Sequence, residues 1–267
     1  MIQQLQSWPT PEIFATSSGG GGSFDPDAVD FFVRAGITDP VQKDAINTLV
    51  MDLKAFDLWT RGRAFYPFVG GTAASHAENL FDSNSQITWT GAITHDANGV
   101  TGNGGYGDTN LQASSGFINN VCFGVYSRTD INDNFYDVGA GLNGAAFPNV
   151  LGVSCAWSDG QFYGDNSGND EIGNVYGNTL GSFTDSRWSS SEHFITANGV
   201  QQNISSAPQG SFGAANFFIM VLAADYLPTS TRNYGAAWIY LGLLDDEVVN
   251  LHTIVNNYQT ALGRNVV

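Results

Sequence analysis

The apolar side chains change their period near residue 64, and that change limits the fold more than any other feature. Downstream, AFYPFVG, SQITWTGAITH, GFINNVCFGVYSR, NVLGVSCAWS, HFITANGVQQN, GAANFFIMVLA and YGAAWIYLG are short segments rich in β-branched and aromatic residues. NG, GNGG, DNSGND and NGV turn signals separate them. Many short strands punctuated by Gly and Asn predict a sandwich or barrel. NGV at 198–200 is the strongest hairpin signal. No strand–helix–strand rhythm appears, which excludes a doubly wound sheet. Residues 64–240 are therefore expected to form two packed, mainly antiparallel sheets.

Helical spacing precedes and follows this block. Asp25-Pro26 and Asp39-Pro40 each place a capping carboxylate before a proline at the first helical position. Gly36 is placed to end the first short helix, and Gln42 completes a capping-box arrangement with Asp39. Val41, Ala45, Ile46, Leu49, Val50 and Leu53 form one apolar stripe, predicting a packing helix over 40–57. At the other end, Asp245 is expected to cap a helix over 246–261 that Gly263 stops. Val248, Leu251, Ile254, Val255, Tyr258 and Leu262 form its stripe. This helix is expected across an edge or end of the sandwich, beside the Val41–Leu53 helix. Three regions follow: an arm with a Gly-rich linker at 1–24, a helical segment at 25–60, and a β-sandwich domain at 61–267. The arm ends in SSGGGGS yet carries Ile2, Leu5, Trp8, Ile13 and Phe14. It is either a segment that orders against a partner or a tail of no consequence.

Charge removes whole classes of partner. Nine lysines and arginines face 25 acidic residues, for a net charge of -16, and both lysines (Lys43, Lys54) lie early in the chain. A nucleic-acid binder needs a clustered basic face, and so does a protein that binds an anionic membrane surface. No apolar run reaches the roughly 18 residues of a membrane span. The start MIQQLQSWPTPEIF lacks the basic and apolar parts of a signal peptide. Cys122 and Cys155 are read as two buried thiols, with a bridge between neighbouring strands as the alternative.

Chemistry is sparse. Of five glutamates, Glu12 is in the arm and Glu247 opens a helix, and no strand alternates the acids of a β-sandwich glucanase. There is no G-x-S-x-G and no phosphate-binding loop. His76, His95, His193 and His252 are scattered and read as structural or surface residues. The loop GDNSGNDEIGN offers Asp165, Asn169, Asp170 and Glu171 as hard oxygen donors for calcium, the alternative being a solvated turn. Trp157, Phe162, Tyr163, Tyr176, Phe183 and Trp188 fall in the stretch richest in Asn, Asp, Ser and Gly. They suit either a shallow sugar-binding or protein-binding surface, with Trp157, Tyr163 and Trp188 as stacking candidates for a glycan, or the filling of the sandwich and the holding down of long loops.

Three stretches carry a resemblance. AFYPFVGGTAASHAENLFD (64–82) followed by ITWTGAITHDANGVTGNGGYGDTNL (87–111) resembles bacteriophage virion proteins with a concanavalin A-like (laminin-G-like) jelly-roll domain. ITDPVQKDAINTLVMDLKAFDLWTRGRAFYPF (37–68) is similar to the helix preceding that family's sandwich, and GLLDDEVVNLHTIVNNYQTALGRNV (242–266) to its characteristic end. In that motif Tyr66, Pro67, Gly70, Gly71, His95, Gly99, Gly105 and Tyr106 read as fold-keeping positions. Ala77 stands after His76, where the family often has lysine. The resemblance implies a concanavalin A-like antiparallel β-sandwich and a structural component of the virion, at head or tail. It also implies other virion proteins as partners through the arm, a homo-oligomer with a trimer preferred, and host-surface glycans as contacts. It supplies no catalytic set. A carbohydrate-binding adhesion module is the alternative reading and a polysaccharide hydrolase a further one; the chain is expected to bind, not cut, and to prefer neutral glycans over anionic ones.

Overall fold

The computed structural model describes residues 23–113, 115–141, 150–166, 170–210, 214–224 and 229–267. The arm, apart from its last two residues, lies outside them, as does Asn169. Two helices open the described chain, α1 (Pro26–Arg34) and α2 (Pro40–Ala55). Then come β1 (Gly62–Tyr66), the short α3 (Ala73–Ala77), β2 (Thr88–Thr90), β3 (Ile93–Asp96), β4 (Gly99–Gly102) and β5 (Tyr106–Gln112). The middle holds β6 (Val121–Ser127), β7 (Val138–Ala140), β8 (Leu151–Ser154), β9 (Gln161–Asn166) and β10 (Glu171–Val175). The last strands are β11 (Gly181–Ser189), β12 (Glu192–Ala197), β13 (Val200–Ser205), β14 (Asn216–Ile219) and β15 (Asn233–Tyr240), followed by α4 (Asp245–Ala261).

The strands form two antiparallel sheets. One runs β13-β12-β11-β6-β15-β4-β3, with β1 also on β15; the other runs β10-β9-β8-β7-β14-β5-β2. The concanavalin A-like sandwich expected from the sequence is therefore present, with its helical segments at both chain ends. Asn198 and Gly199 both take positive φ (51° and 73°), the turn the NGV signal requires between β12 and β13. The stretch around 157–188, which looked loop-like, is mostly strand: β9, β10 and β11 all fall there. Its Gly and Asn content hid alternation that only the sheet partners reveal.

Alternation on the central strands divides the buried residues between two cores. On β15, Tyr234, Ala237 and Ile239 face the other sheet, while Ala236, Trp238 and Tyr240 face the helices. β6 does the same with Val121, Phe123 and Val125 against Cys122 and Tyr126. A strand buried on both sides reads as a continuous apolar run, which is why these two were visible in the sequence. Ala45, Ile46, Leu49, Val50 and Leu53 of α2 and Val248, Leu251, Ile254, Val255 and Tyr258 of α4 complete the helix-side core. Thus α4 covers a face of the eight-stranded sheet beside α2, not an edge or end. Val41 does not join the stripe: at the first turn of α2 it is 57% exposed.

Local capping follows the sequence with two exceptions, Asp245 and the return half of the Asp39–Gln42 box. Among the described residues the Gln42 side chain makes no bond to the Asp39 N–H. The Asp25 and Asp39 carboxylates accept the N–H groups of Asp27 and Gln42, and Lys54 bonds both Asp25 (2.7 Å) and Asp27, tying the end of α2 to the start of α1. Gly36 and Gly263 follow α1 and α4 with φ of 65°. Asp245 is the first residue of α4 and not its cap; Glu247 accepts the Leu244 N–H at 2.7 Å. The family-like motifs from the two chain ends meet. The Tyr258 hydroxyl donates to the Pro67 carbonyl at 3.0 Å, and Arg264 donates to that of Phe68 at 2.8 Å. Cys122 and Cys155 are free and buried, as first read.

Candidate functional site

Helices α2 and α4 close the outer face of the eight-stranded sheet. Among the described residues no helix covers the outer face of the seven-stranded sheet, and β7 to β10 define what it presents. On β9, Phe162 meets Phe183 edge-on at 5.1 Å, a Cβ at Gly164 would fall 2.4 Å from Asp185, and Asn166 donates to Asp185 at 2.7 Å. These three point inward, so Gln161, Tyr163 and Asp165 point outward. Across the ladder, Tyr163 pairs with Gly173 and Ser154, and Asp165 with Glu171 and Gly152. Leu151 and Val153 belong to the inter-sheet core, leaving Gly152 and Ser154 on the outer face.

A strap of irregular chain lies over this face. Tyr136, Val150 and Leu222 form a small separate cluster with Trp157 packed against it. Its floor is glycine. A Cβ at Gly152 would stand 2.5 Å from the Tyr136 ring, and one at Gly139 would stand 2.8 Å from Leu222. Any other residue there would lift the strap off the sheet. The Tyr136 hydroxyl donates to Asp165 Oδ2 at 2.5 Å, and Trp157 meets the Tyr136 ring edge-on at 5.7 Å. Asp165 Oδ1 and Ser154 Oγ are buried with no hydrogen-bond partner. Burial pushes the Asp165 carboxyl up to about 7; the Tyr136 hydrogen bond opposes this, while Glu171 and Asp185 add to it. Tyr163, half-buried beside them, donates its hydroxyl to Asp159 at 2.7 Å.

The residues nominated from sequence divide accordingly. Trp157 and Tyr163 are both on the seven-stranded side. Trp188 stands at the end of β11 in the other sheet, 38% exposed, and does not join them. The calcium set also divides. Asp165 and Glu171 are register partners on the outer face, whereas Asp170 turns inward to an ion pair with Arg187 and to His193 at 2.8 Å. Among the described residues no group of three or more His, Cys, Asp or Glu side chains is placed to hold a metal ion. Phe162 and Phe183 fill the sandwich. Sequence reasoning missed Tyr136 and Ser154; strand alternation over 161–166 would have put Tyr163 and Asp165 together.

An acidic excess without matching cations predicts carboxylates in turns and helix starts, facing water or capping N–H groups. Several are instead inside. Asp170, Asp185, Arg187, His193 and Asn166 are interlinked between the sheets, with His193 Nε2 2.9 Å from Asp185 and Arg187 Nε donating to Asn166 at 3.1 Å. A second buried arginine, Arg232, is held by Asp133 (2.6 Å) and Asp137 (2.8 Å). Burial and Asp137 raise the Asp133 carboxyl to about 6 against the pull of Arg232. A buried charge that is paired avoids the large desolvation cost of a lone one.

The remaining histidines are packing residues too. His76 Nε2 accepts the Gly71 N–H at 3.2 Å, so its Nδ1 carries the proton and donates to His95 Nδ1 at 3.1 Å. Burial, with His95 and Arg264 nearby, lowers His76 to about 3. Ser182 and His252 lie 2.7 Å apart and join β11 to α4. Among the described residues no carboxylate bonds the other His252 nitrogen, so this pair lacks the orienting group of a nucleophilic triad.

No family model matches the chain, and no curated protein matches it. Solved structures do. Domain 4 of an extracellular arabinanase from Geobacillus stearothermophilus, in complex with arabinotriose, is 17% identical with a TM-score of 0.52, covering 72% of this chain and 98% of that one. A mutant of Trypanosoma rangeli sialidase displaying trans-sialidase activity is 12% identical with a TM-score of 0.51, covering 83% of this chain and 39% of its own. The same sialidase with 2,3-difluorosialic acid gives 12% and 0.50 over 79% of this chain. This chain thus spans about two fifths of the sialidase chains and nearly all of the arabinanase domain. At such identities the likeness is one of fold.

Proposed function

We propose that this chain is a carbohydrate-binding adhesion module that recognises a neutral glycan and does not cleave it. One observation carries the reading. The sheet face that the helices leave open presents the Tyr163 and Trp157 rings beside a buried carboxylate, Asp165, and a buried hydroxyl, Ser154, each with an atom lacking a partner. Rings that stack and short acceptors that orient are what a sugar site needs. The arabinotriose complex of the similar arabinanase domain supports this reading at the level of fold. The net charge of -16 disfavours sulfated or phosphorylated polymers.

The resemblance to phage virion proteins supplies the setting for such a module, display on a particle. Phe24 packs edge-on against Phe32 of α1 at 5.2 Å, so the chain enters through the helix layer, on the side away from the candidate face. Anchoring from one side and recognition on the other suit an appendage. Among the described residues no helix is long and apolar enough to cross a membrane.

The test is a glycan array on the full chain, run with calcium and again with chelator. Trp157→Ala and Tyr163→Ala should abolish binding while Trp188→Ala leaves it intact. Release of reducing ends from any polysaccharide, or loss of binding through Trp188→Ala alone, overturns the reading.

A further inference from the structure

The geometry points to Tyr136 as a built-in plug of the glycan site: its ring occupies a sugar subsite floored by Gly152, and a bound ligand displaces it to place a hydroxyl pair on Asp165 and Ser154. This deepens the proposed function and rests on it.

Tyr136 lies directly on the backbone of β8, so close that a Cβ at Gly152 would be 2.5 Å from its Cδ1 and Cε1. A six-membered ring on a glycine floor, with one hydroxyl donating 2.5 Å to a carboxylate, imitates a pyranose with one of its hydroxyls. The imitation is incomplete. A tyrosine has one hydroxyl, and two further polar atoms on the same face go unused: Asp165 Oδ1 and Ser154 Oγ are buried and unpartnered. Unpaired buried polar atoms destabilise the closed state, and a ligand with vicinal hydroxyls, which donate and accept, would satisfy both. Among the described residues Tyr136 packs with Val150 and Leu222 in a cluster apart from the two main cores. Displacing it leaves those cores intact.

Charge selects the ligand. Glu171 faces Asp165 across the ladder, while Arg187 and Arg232 are ion-paired within the fold. Among the described residues a carboxylated sugar would meet two acids and no free guanidinium; a neutral diol escapes that penalty.

The experiment titrates the full chain calorimetrically with a neutral oligosaccharide panel that includes arabinotriose, and with free sialic acid. Tyr136→Ala should tighten neutral binding about tenfold or more, because the open state no longer competes with the plug. Tyr136→Phe keeps the ring, loses the Asp165 bond, and should fall between it and the wild type. Asp165→Asn in the Tyr136→Ala background should reverse the gain by about tenfold. Sialic acid should bind none of them. If neutral sugars bind but both Tyr136 variants bind no tighter than the wild type, the plug is refuted and the glycan reading stands. If no neutral sugar binds any of these folded proteins, both fail together.

Discussion

The two outer faces of the sandwich are closed in different ways. The eight-stranded sheet is covered by α2 and α4, whose stripes interlock with Tyr126, Trp238 and Tyr240 in one large core. The seven-stranded sheet is covered around β7 and β8 by a strap that contributes Tyr136, Val150 and Leu222 over glycines. The first is closed by regular elements that carry their own hydrogen bonds; the second by irregular chain laid over two unpaired acceptors. The two closures differ in that respect, and the proposed ligand would enter under the second.

The sharpest way to break this contrast is to cut matching side chains from both covers. Leu251→Ala on α4 removes a residue buried in the larger core and should cost about 3 kcal/mol, read as a lower urea midpoint with unchanged slope. Leu222→Ala on the strap should cost less, about 2 kcal/mol, and should raise amide exchange locally at 133–137 before any global change. Equal losses with equally global exchange would mean the strap is as integral as the helices, and the contrast would fail.

What the sequence revealed follows the same division. Period and capping exposed α2 and α4 because an amphipathic helix writes its buried face at fixed spacing. Both strands buried on two sides, β6 and β15, stood out as unbroken apolar runs. The site was only half legible. Tyr163 and Trp157 were nominated as aromatics among polar residues, but Trp188 was grouped with them only by nearness in sequence. The acids Asp165, Asp170 and Glu171 looked like one cluster; a two-residue period sends Asp165 and Glu171 to one face of the sheet and Asp170 to the other. Tyr136 carried no signal, since a ring resting on a glycine of β8 is a tertiary event.

Acid sharpens the comparison by acting on two places with opposite sign. His76, at the edge away from the strap, stays neutral in the fold to about 3, against 6.5 when unfolded. Between those values the unfolded chain binds the extra proton, so stability falls as the pH drops below 6.5, by up to about 1.4 kcal/mol per unit. His76→Gln keeps an acceptor for the Gly71 N–H and should flatten that part of the profile. An unaltered slope in denaturant titrations from pH 7 to 4 would show that the acid sensitivity lies elsewhere.

Asp165 should give the smallest effect and the most informative one. Its carboxyl holds a proton in the fold to about 7, against 3.8 in the unfolded chain, so stability falls as the pH rises through that window and is lowest above it. Asp165→Asn removes the titration. The amide oxygen can still accept the Tyr136 hydroxyl, and the amide nitrogen gives Glu171 a donor where a second carboxylate stood. The variant should therefore be more stable than the wild type at pH 8, by about 1 kcal/mol, and should lose its advantage near pH 4. A gain in stability with a loss of sugar binding is the signature of a residue kept for recognition at the expense of the fold. The reverse result, an asparagine variant less stable at pH 8, would mean that the ionised pair Asp165 and Glu171 is held by a cation, and repeating the melt with chelator would then show it.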